Sequence, residues 1–258
     1  MKLKQVAVQL YTLRDFLKEP AEIIETLKKV AKIGYKAVQI SGMGPIPEEE
    51  LVAITNDLDL KICATHEPSK EIIEDPGKVI ERLKKLGTKY TAYPHPHVPL
   101  TLENVKKLVK GLNKSGKALY EEGLVLTYHN HQHEFIKIGG KRIIDILYNE
   151  TNPKYLKAEI DTYWAQVGGV ETSLYIKQNL KGRLPLLHLK DYHVRQDEDG
   201  ASKVEFTEIG NGNLPFPEII DAAEKAGTKW FIVEQDTCPG SPFDSLSASF
   251  KYIKKYLV

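Results

Sequence analysis

Short apolar runs alternate along the chain with longer stretches in which apolar residues recur every three or four positions, about eight times over and with no low-complexity linker between them. Strand period and helix period taking turns predict a chain of βα units. The strand candidates are 5–11, 37–41, 61–66, 90–93, 124–129, 156–161, 185–190 and 230–234. In PAEIIETLKKVAKIG (20–34), Ile23, Leu27, Val30 and Ala31 share one helix face and Gly34 supplies the C-terminal cap. SLSASFKYIKKYL (245–257) repeats the device with Leu246, Phe250, Ile253 and Leu257. Further helices are expected near 47–58, 76–86, 102–122, 141–149, 170–179 and 215–226. Parallel strands can also form an open, doubly wound sheet, but the turn that would then carry a Gly-rich phosphate loop reads YTLRDFLKEP (11–20), without glycine. A closed α/β barrel of type (β/α)8, one domain over 1–258, is the expected fold.

Length agrees, since 258 residues match one such barrel. Acids and bases nearly cancel, leaving a net charge of +1, so there is no electrostatic footprint for nucleic acid. Cys63 and Cys238 are far apart and lack a CxxC spacing, which suits packing residues in a reducing cytoplasm. The N-terminal MKLKQVAVQLYTLRDF has too short an apolar run for a signal peptide, and no stretch approaches a membrane span. The expectation is a cytoplasmic protein with a small-molecule partner, neither nucleic acid nor membrane.

Inward and outward side chains alternate along a barrel strand, and the last inward residue of each strand faces the C-terminal mouth. With Leu126, Tyr128, Ile160, Leu187, Leu189, Phe231 and Val233 turned toward the helices, the inward set comprises Thr127, His129, His131, Glu159, Asp161, His188, Lys190 and Glu234. Four consecutive strands thus send His129, Asp161, His188 and Glu234 to one end. Two imidazoles and two carboxylates without a thiolate make a nitrogen/oxygen site for one divalent metal ion, Mn²⁺, Zn²⁺, Co²⁺ or Mg²⁺. Taken singly, each is as well explained as a hydrogen-bonded rim residue, and only the set points to a metal. His95 and His97 of YPHPHVP sit on an extended, proline-flanked loop, where spacing alone favours rim contact over a second metal. The glycines of IGNGN (209–213) read mainly as a turn.

YHNHQHEF (128–135), EIDTYW (159–164), LHLKDY (187–192), IGNGNLPFPEII (209–220) and VEQD (233–236) resemble, in order and over essentially the whole chain, the sugar phosphate isomerase/epimerase group of xylose isomerase-like barrels. That superfamily also holds inosose dehydratase-like proteins, ketose 3-epimerases and endonuclease IV. The resemblance implies metal ligands at Asp161, His188 and Glu234. The epimerases' glutamate on the fifth strand has no clean counterpart, because His129 stands there, with His131 and Glu134 beyond it. An epimerase of this kind moves a proton beside a metal-polarised carbonyl with two carboxylates, whereas a dehydratase needs one base and one acid.

The resemblance therefore implies a metal-dependent isomerase or epimerase acting on a small keto-sugar or keto-polyol, with a lyase of the inosose dehydratase type as the alternative. An endonuclease IV-like nuclease is the remote reading, short of metal ligands and of basic surface. The expected roles are Glu234 or Glu159 as proton acceptor, His131 as general acid and Lys190 on substrate oxygen. Lys190 can equally be a structural partner of Asp191. His66, Gln9, Trp164 and Glu134 are expected to shape the substrate site, although loop packing serves as well for Trp164. A homo-oligomer is a family expectation.

Overall fold

In the computed structural model, which describes all 258 residues, eight parallel strands close into a barrel. They are β1 (Val6–Gln9), β2 (Ala37–Ile40), β3 (Lys61–His66), β4 (Tyr90–Tyr93), β5 (Val125–His129), β6 (Leu156–Asp161), β7 (Leu186–Leu189) and β8 (Trp230–Val233). Each pairs with its chain neighbours, and β8 returns to β1 with Ala7 opposite Ile232. Helices fill the crossovers, among them Pro20–Ile33, Glu48–Asp57, Pro76–Leu86, Leu102–Glu121, Phe216–Ala226 and Pro242–Tyr256.

Two apolar layers follow from the alternation. Leu126, Tyr128, Ile160, Leu187, Leu189, Phe231 and Val233 join the helix faces in the large core between sheet and helices. Full burial of each such side chain contributes roughly 1.5–3 kcal/mol. The expected first-helix stripe is there too: Ile23, Leu27 and Val30 are fully buried. Gly34 caps that helix at φ 120°, and a Cβ there would lie 2.7 Å from the Phe250 ring. The second layer is small and lies inside the barrel floor: Ala7, Ala37, Cys63, Ala64, Leu186 and Ile232. Cys63 is thus a packing residue, as expected. These apolar side chains, four of them small, plug the lower barrel and leave the upper barrel to polar groups.

The structure also departs from the sequence reading. Strand β1 ends at Gln9, because Leu10–Phe16 turns into a 3-10 helix whose first free N–H, that of Tyr11, reaches Gln9 Oε1 at 3.5 Å. Strand β7 ends at Leu189, and beyond Lys190 the chain forms an unforeseen antiparallel hairpin, Asp191–Gln196 with Ser202–Thr207. Only its end residues Asp191 and Thr207 are buried, and its apolar alternation is two residues long on each strand, Tyr192 and Val194 opposite Phe206 and Val204. The single helix expected over 170–179 is preceded by a short one, Thr162–Val167, and Ser69–Glu74 is a further short helix. No helix is long and apolar enough to cross a membrane.

Candidate active site

Register lifts the ionisable residues to one end. His129 pairs with Glu159, Asp161 pairs with His188, and His188 pairs with Ile232, two residues before Glu234. The donor atoms of His129, Asp161, His188 and Glu234 all lie within 4.8 Å of one another, and the four residues are buried. A second group of the same compactness shares two of them: His66, His129, Glu159 and His188. Above both opens a cavity of about 510 Å³ lined by Arg14, His66, His129, His131, Lys190, Glu234 and Asp236, among others. A hollow of about 550 Å³ at the opposite end of the barrel, around Thr55, Lys61, Tyr90 and Trp230, has no such convergence of acids and imidazoles.

Local structure aims each group. Asp161 caps the helix Thr162–Val167, with Oδ1 accepting the Trp164 N–H at 2.9 Å, while Oδ2 faces the Lys190 ammonium. Its own N–H donates to Asn130 Oδ1 at 3.0 Å. Thr162 staples the ends of β6 and β7: its hydroxyl donates to the Lys190 carbonyl and accepts the Lys190 N–H, at 2.8 and 2.9 Å. His188 is gripped from both sides, Nδ1 at 2.9 Å from Glu234 Oε2 and Nε2 at 2.7 Å from Gln39 Oε1 and 3.2 Å from Glu159 Oε1. His129 Nδ1 makes no hydrogen bond, although Glu159 Oε1 is 3.2 Å away.

Two cations hold the acids together. Lys190 Nζ lies 3.1 Å from Asp161 Oδ2, 2.9 Å from Glu234 Oε2 and 3.1 Å from both Asp236 oxygens. Burial alone would lower this lysine, but the carboxylates of Asp161, Glu234 and Asp236 outweigh it and raise its pKa. Burial likewise works against a charged His188, and Glu159 and Glu234 override it, lifting the imidazole to about 10. Burial raises Glu159 and Glu234, yet their cationic neighbours hold both well below the usual carboxylate range. Asp161 goes the other way, pushed by burial and by Glu234 to about 6 against the pull of Lys190. Burial takes His129 down to about 3. Charge repulsion among the acids therefore does not by itself demand a metal, because Lys190 and His188 supply countercharge.

Several expected roles are corrected by this geometry. Burial first, then the neighbouring His129 and Lys190, lower His131 to about 2, so it is a neutral imidazole rather than a general acid near neutral pH. Glu159 lies fully buried beneath His66, His129 and His188 and outside the cavity lining, so it supports those rings instead of meeting substrate. Glu134 is also buried and outside the lining; it accepts from the Tyr128 hydroxyl at 2.8 Å and the His131 N–H at 2.7 Å. Gln9 is fully buried in the floor, its amide donating to Gln39 Oε1 at 3.1 Å. Lys190 has no ion pair with Asp191, whose carboxylate turns away to the backbone of the following loop. Trp164 packs its ring 5.6 Å from His131 and 5.4 Å from Lys190 Nζ, and its buried Nε1 has no partner. His66 does line the cavity, its Nε2 2.5 Å from Glu159 Oε1.

Three participants escaped the sequence reading. Gln39 of β2 donates to Glu159 Oε2 at 2.8 Å while accepting from Gln9 and His188. Its inward position on the strand was the available signal. Asp236, the last letter of VEQD, and Arg14, which reaches the Asp236 carbonyl at 2.9 Å, complete the β8 side of the cavity.

A (β/α)8 barrel with imidazoles and carboxylates gathered at its C-terminal mouth has its ionisable groups where barrels of this architecture build their sites. Residues 27–256 match the family model for xylose isomerase-like TIM barrels, and the chain belongs to that family. It is 30% identical over 168 residues to the inosose dehydratase of Geobacillus thermodenitrificans, a stretch covering 60% of this chain and 55% of that protein. The match thus spans little more than half the length of this curated relative. Among solved structures, a sugar phosphate isomerase/epimerase from Parabacteroides distasonis superposes with a TM-score of 0.84 at 21% identity, covering 99% of this chain and 95% of the other. A xylose isomerase-like barrel protein from Mycobacterium smegmatis in complex with magnesium superposes at 0.75, 12% identical, covering 96% and 95%. At such identities these structures speak for the fold alone.

Proposed function

We propose that the cavity carries out metal-assisted elimination of water from a small keto-polyol or keto-sugar. One observation carries the choice over isomerisation: both carboxylates lining the cavity, Glu234 and Asp236, come from the segment after β8. The walls from β3 to β5 contribute only imidazoles, those of His66, His95, His97, His129 and His131. A carboxylate base on one side facing the His66 imidazole on the other suits elimination, while proton return from the opposite face has no carboxylate to perform it. The relatives named as inosose dehydratases support the same direction.

His129, Asp161, His188 and Glu234 are the residues that would hold a divalent ion, and the buried His129 Nδ1, which makes no hydrogen bond, fits that use. When bound, the ion supplies Lewis-acid polarisation of a carbonyl. Glu234, a carboxylate held well below its usual range in the metal-free protein, would accept the proton from the carbon beside that carbonyl. His66, oriented by Glu159, delivers a proton to the departing hydroxyl, so that the C–H and C–O bonds break as C=C and water form. Lys190 also pairs with both Asp236 oxygens, a contact it would keep if Asp161 and Glu234 were to hold an ion.

A panel of ketoses, 2-keto-inositol and 3-keto-glycosides, incubated with Mn²⁺ or Co²⁺ in D₂O and followed by NMR and ultraviolet absorbance, tests the reading. An absorbing enone formed with loss of water is the expected outcome. Carbon-bound deuterium without loss of water would overturn elimination in favour of epimerisation, and no exchange at all would overturn both.

A further inference from the structure

Beside the inner group, four imidazoles meet where the ends of β4 and β5 reach the rim. His95 lies 5.1 Å from His97, 5.3 Å from His131 and 5.0 Å from His133 between ring centroids, and His131 lies 5.4 Å from His133. Three imidazoles bound tetrahedrally to one ion at about 2.0–2.1 Å have centroids roughly 5 Å apart, the size of the triangle His95, His131 and His133. Two of the three also keep a buried nitrogen with no partner, His95 Nδ1 and His131 Nδ1, and the buried His133 Nε2 meets only a carboxylate. Native proteins rarely leave two such atoms orphaned side by side. Glu134 adds an acid, Oε1 standing 3.0 Å from His133 Nε2, and the donor atoms of His131, His133 and Glu134 lie within 4.8 Å of one another.

We propose that His95, His131 and His133, with Glu134 beside them, form a second metal site that takes Zn²⁺. A donor set dominated by imidazole favours this borderline ion over Mg²⁺. The spacing of His95 and His97 alone argues against a second metal; the fold changes the count by bringing two histidines from the neighbouring strand end. Because His95 and His131 line the same cavity as Glu234, an ion held there faces the outer end of whatever the inner group binds. The site does not depend on the elimination reading.

Zn²⁺ stoichiometry of the chelator-treated full-length chain, measured by equilibrium dialysis and elemental analysis, tests it with two variants, H95Q/H133Q and D161N/E234Q. Wild type is expected to bind two equivalents and H95Q/H133Q one, while D161N/E234Q keeps the rim ion. Co²⁺ substituted into D161N/E234Q should give the intense visible bands of a tetrahedral site, and H95Q/H133Q should lack that contribution. One equivalent in wild type that vanishes in H95Q/H133Q would support the rim site and sink the inner one. A folded H95Q/H133Q that binds as much Zn²⁺ as wild type overturns the proposal, as does absence of binding in wild type. Should D161N/E234Q fail to fold, the comparison of wild type with H95Q/H133Q still decides, since His95 and His133 are only partly buried.

Discussion

At the scale of single residues, the site separates groups that share a chemistry but not an environment. Glu159 and Glu234 are both buried carboxylates held ionised by cations, yet only Glu234 faces the cavity. Glu159 is locked by His66, His129, His188 and Gln39. Substituting the two should therefore fail in different ways. Glu234→Gln keeps the shape and leaves Lys190 with Asp161 and Asp236, so turnover should fall about 10²–10⁴-fold with the fold retained. Glu159→Gln removes the anion from beneath three imidazoles and should lower stability by roughly 3 kcal/mol, as loss of one partner from a buried ion pair does. Steady-state rates beside urea titrations check the pair, and full activity in folded Glu234→Gln would remove that residue from the proton-transfer step.

At the scale of secondary-structure elements, the loop after β7 shows how the site is held. Asp191 is fully buried and accepts four backbone N–H groups, those of Tyr192, Gly210, Gly212 and Leu214, at 2.9 to 3.2 Å. Gly212 is required by this packing, since a Cβ there would lie 2.3 Å from Asp191 Oδ1. The IGNGN segment is thus a turn wrapped around an aspartate, and that aspartate follows Lys190 directly. Asp191→Ala should cost about 2–4 kcal/mol through orphaned N–H groups and should weaken substrate binding as the Lys190 backbone loosens. Thermal melts with a Michaelis constant for the active ketose check it; a change in neither would leave the loop without a structural role. The same region marks what was legible in sequence. Strands β2 to β8 and most helices were readable because one face of each is apolar. The hairpin Asp191–Gln196 with Ser202–Thr207 was not, because little of it is buried. His129, Asp161, His188 and Glu234 were readable as a convergent set from strand alternation, but not Gln39 or the grip on Glu159, which depend on how distant strands line up across the barrel.

For the whole molecule, the buried charges make stability a function of pH, and the signs can be worked out group by group for the metal-free protein. His188 rises from an ordinary 6.5 to about 10. Its contribution is complete below about pH 6.5 and is lost as pH climbs through 10. His129 and His131 fall from 6.5 to about 3 and about 2, so below pH 6.5 the unfolded chain takes up protons that the fold refuses, and stability drops with acid. Glu159 and Glu234, both lowered, add to that acid loss below their ordinary 4.5. Asp161, raised from 3.8 to about 6, opposes it, holding in the fold a proton that the unfolded chain has released. Asp191 and Asp236, also raised by burial, oppose it likewise, while His95, lowered by burial, adds to it. The alkaline limb belongs to His188, worth roughly 2–3 kcal/mol between about pH 7 and pH 9.5, or several degrees of melting temperature. Metal ligation requires His188 neutral, so a bound divalent ion takes away the proton whose loss drives that limb. Melting curves from about pH 6 to pH 9.5 should therefore slope downward without metal and flatten with saturating Mn²⁺, and calorimetry near pH 7 should record about one proton released on binding. An alkaline slope unchanged by metal would mean that His188 stays an imidazolium between Glu159 and Glu234 and is not a ligand.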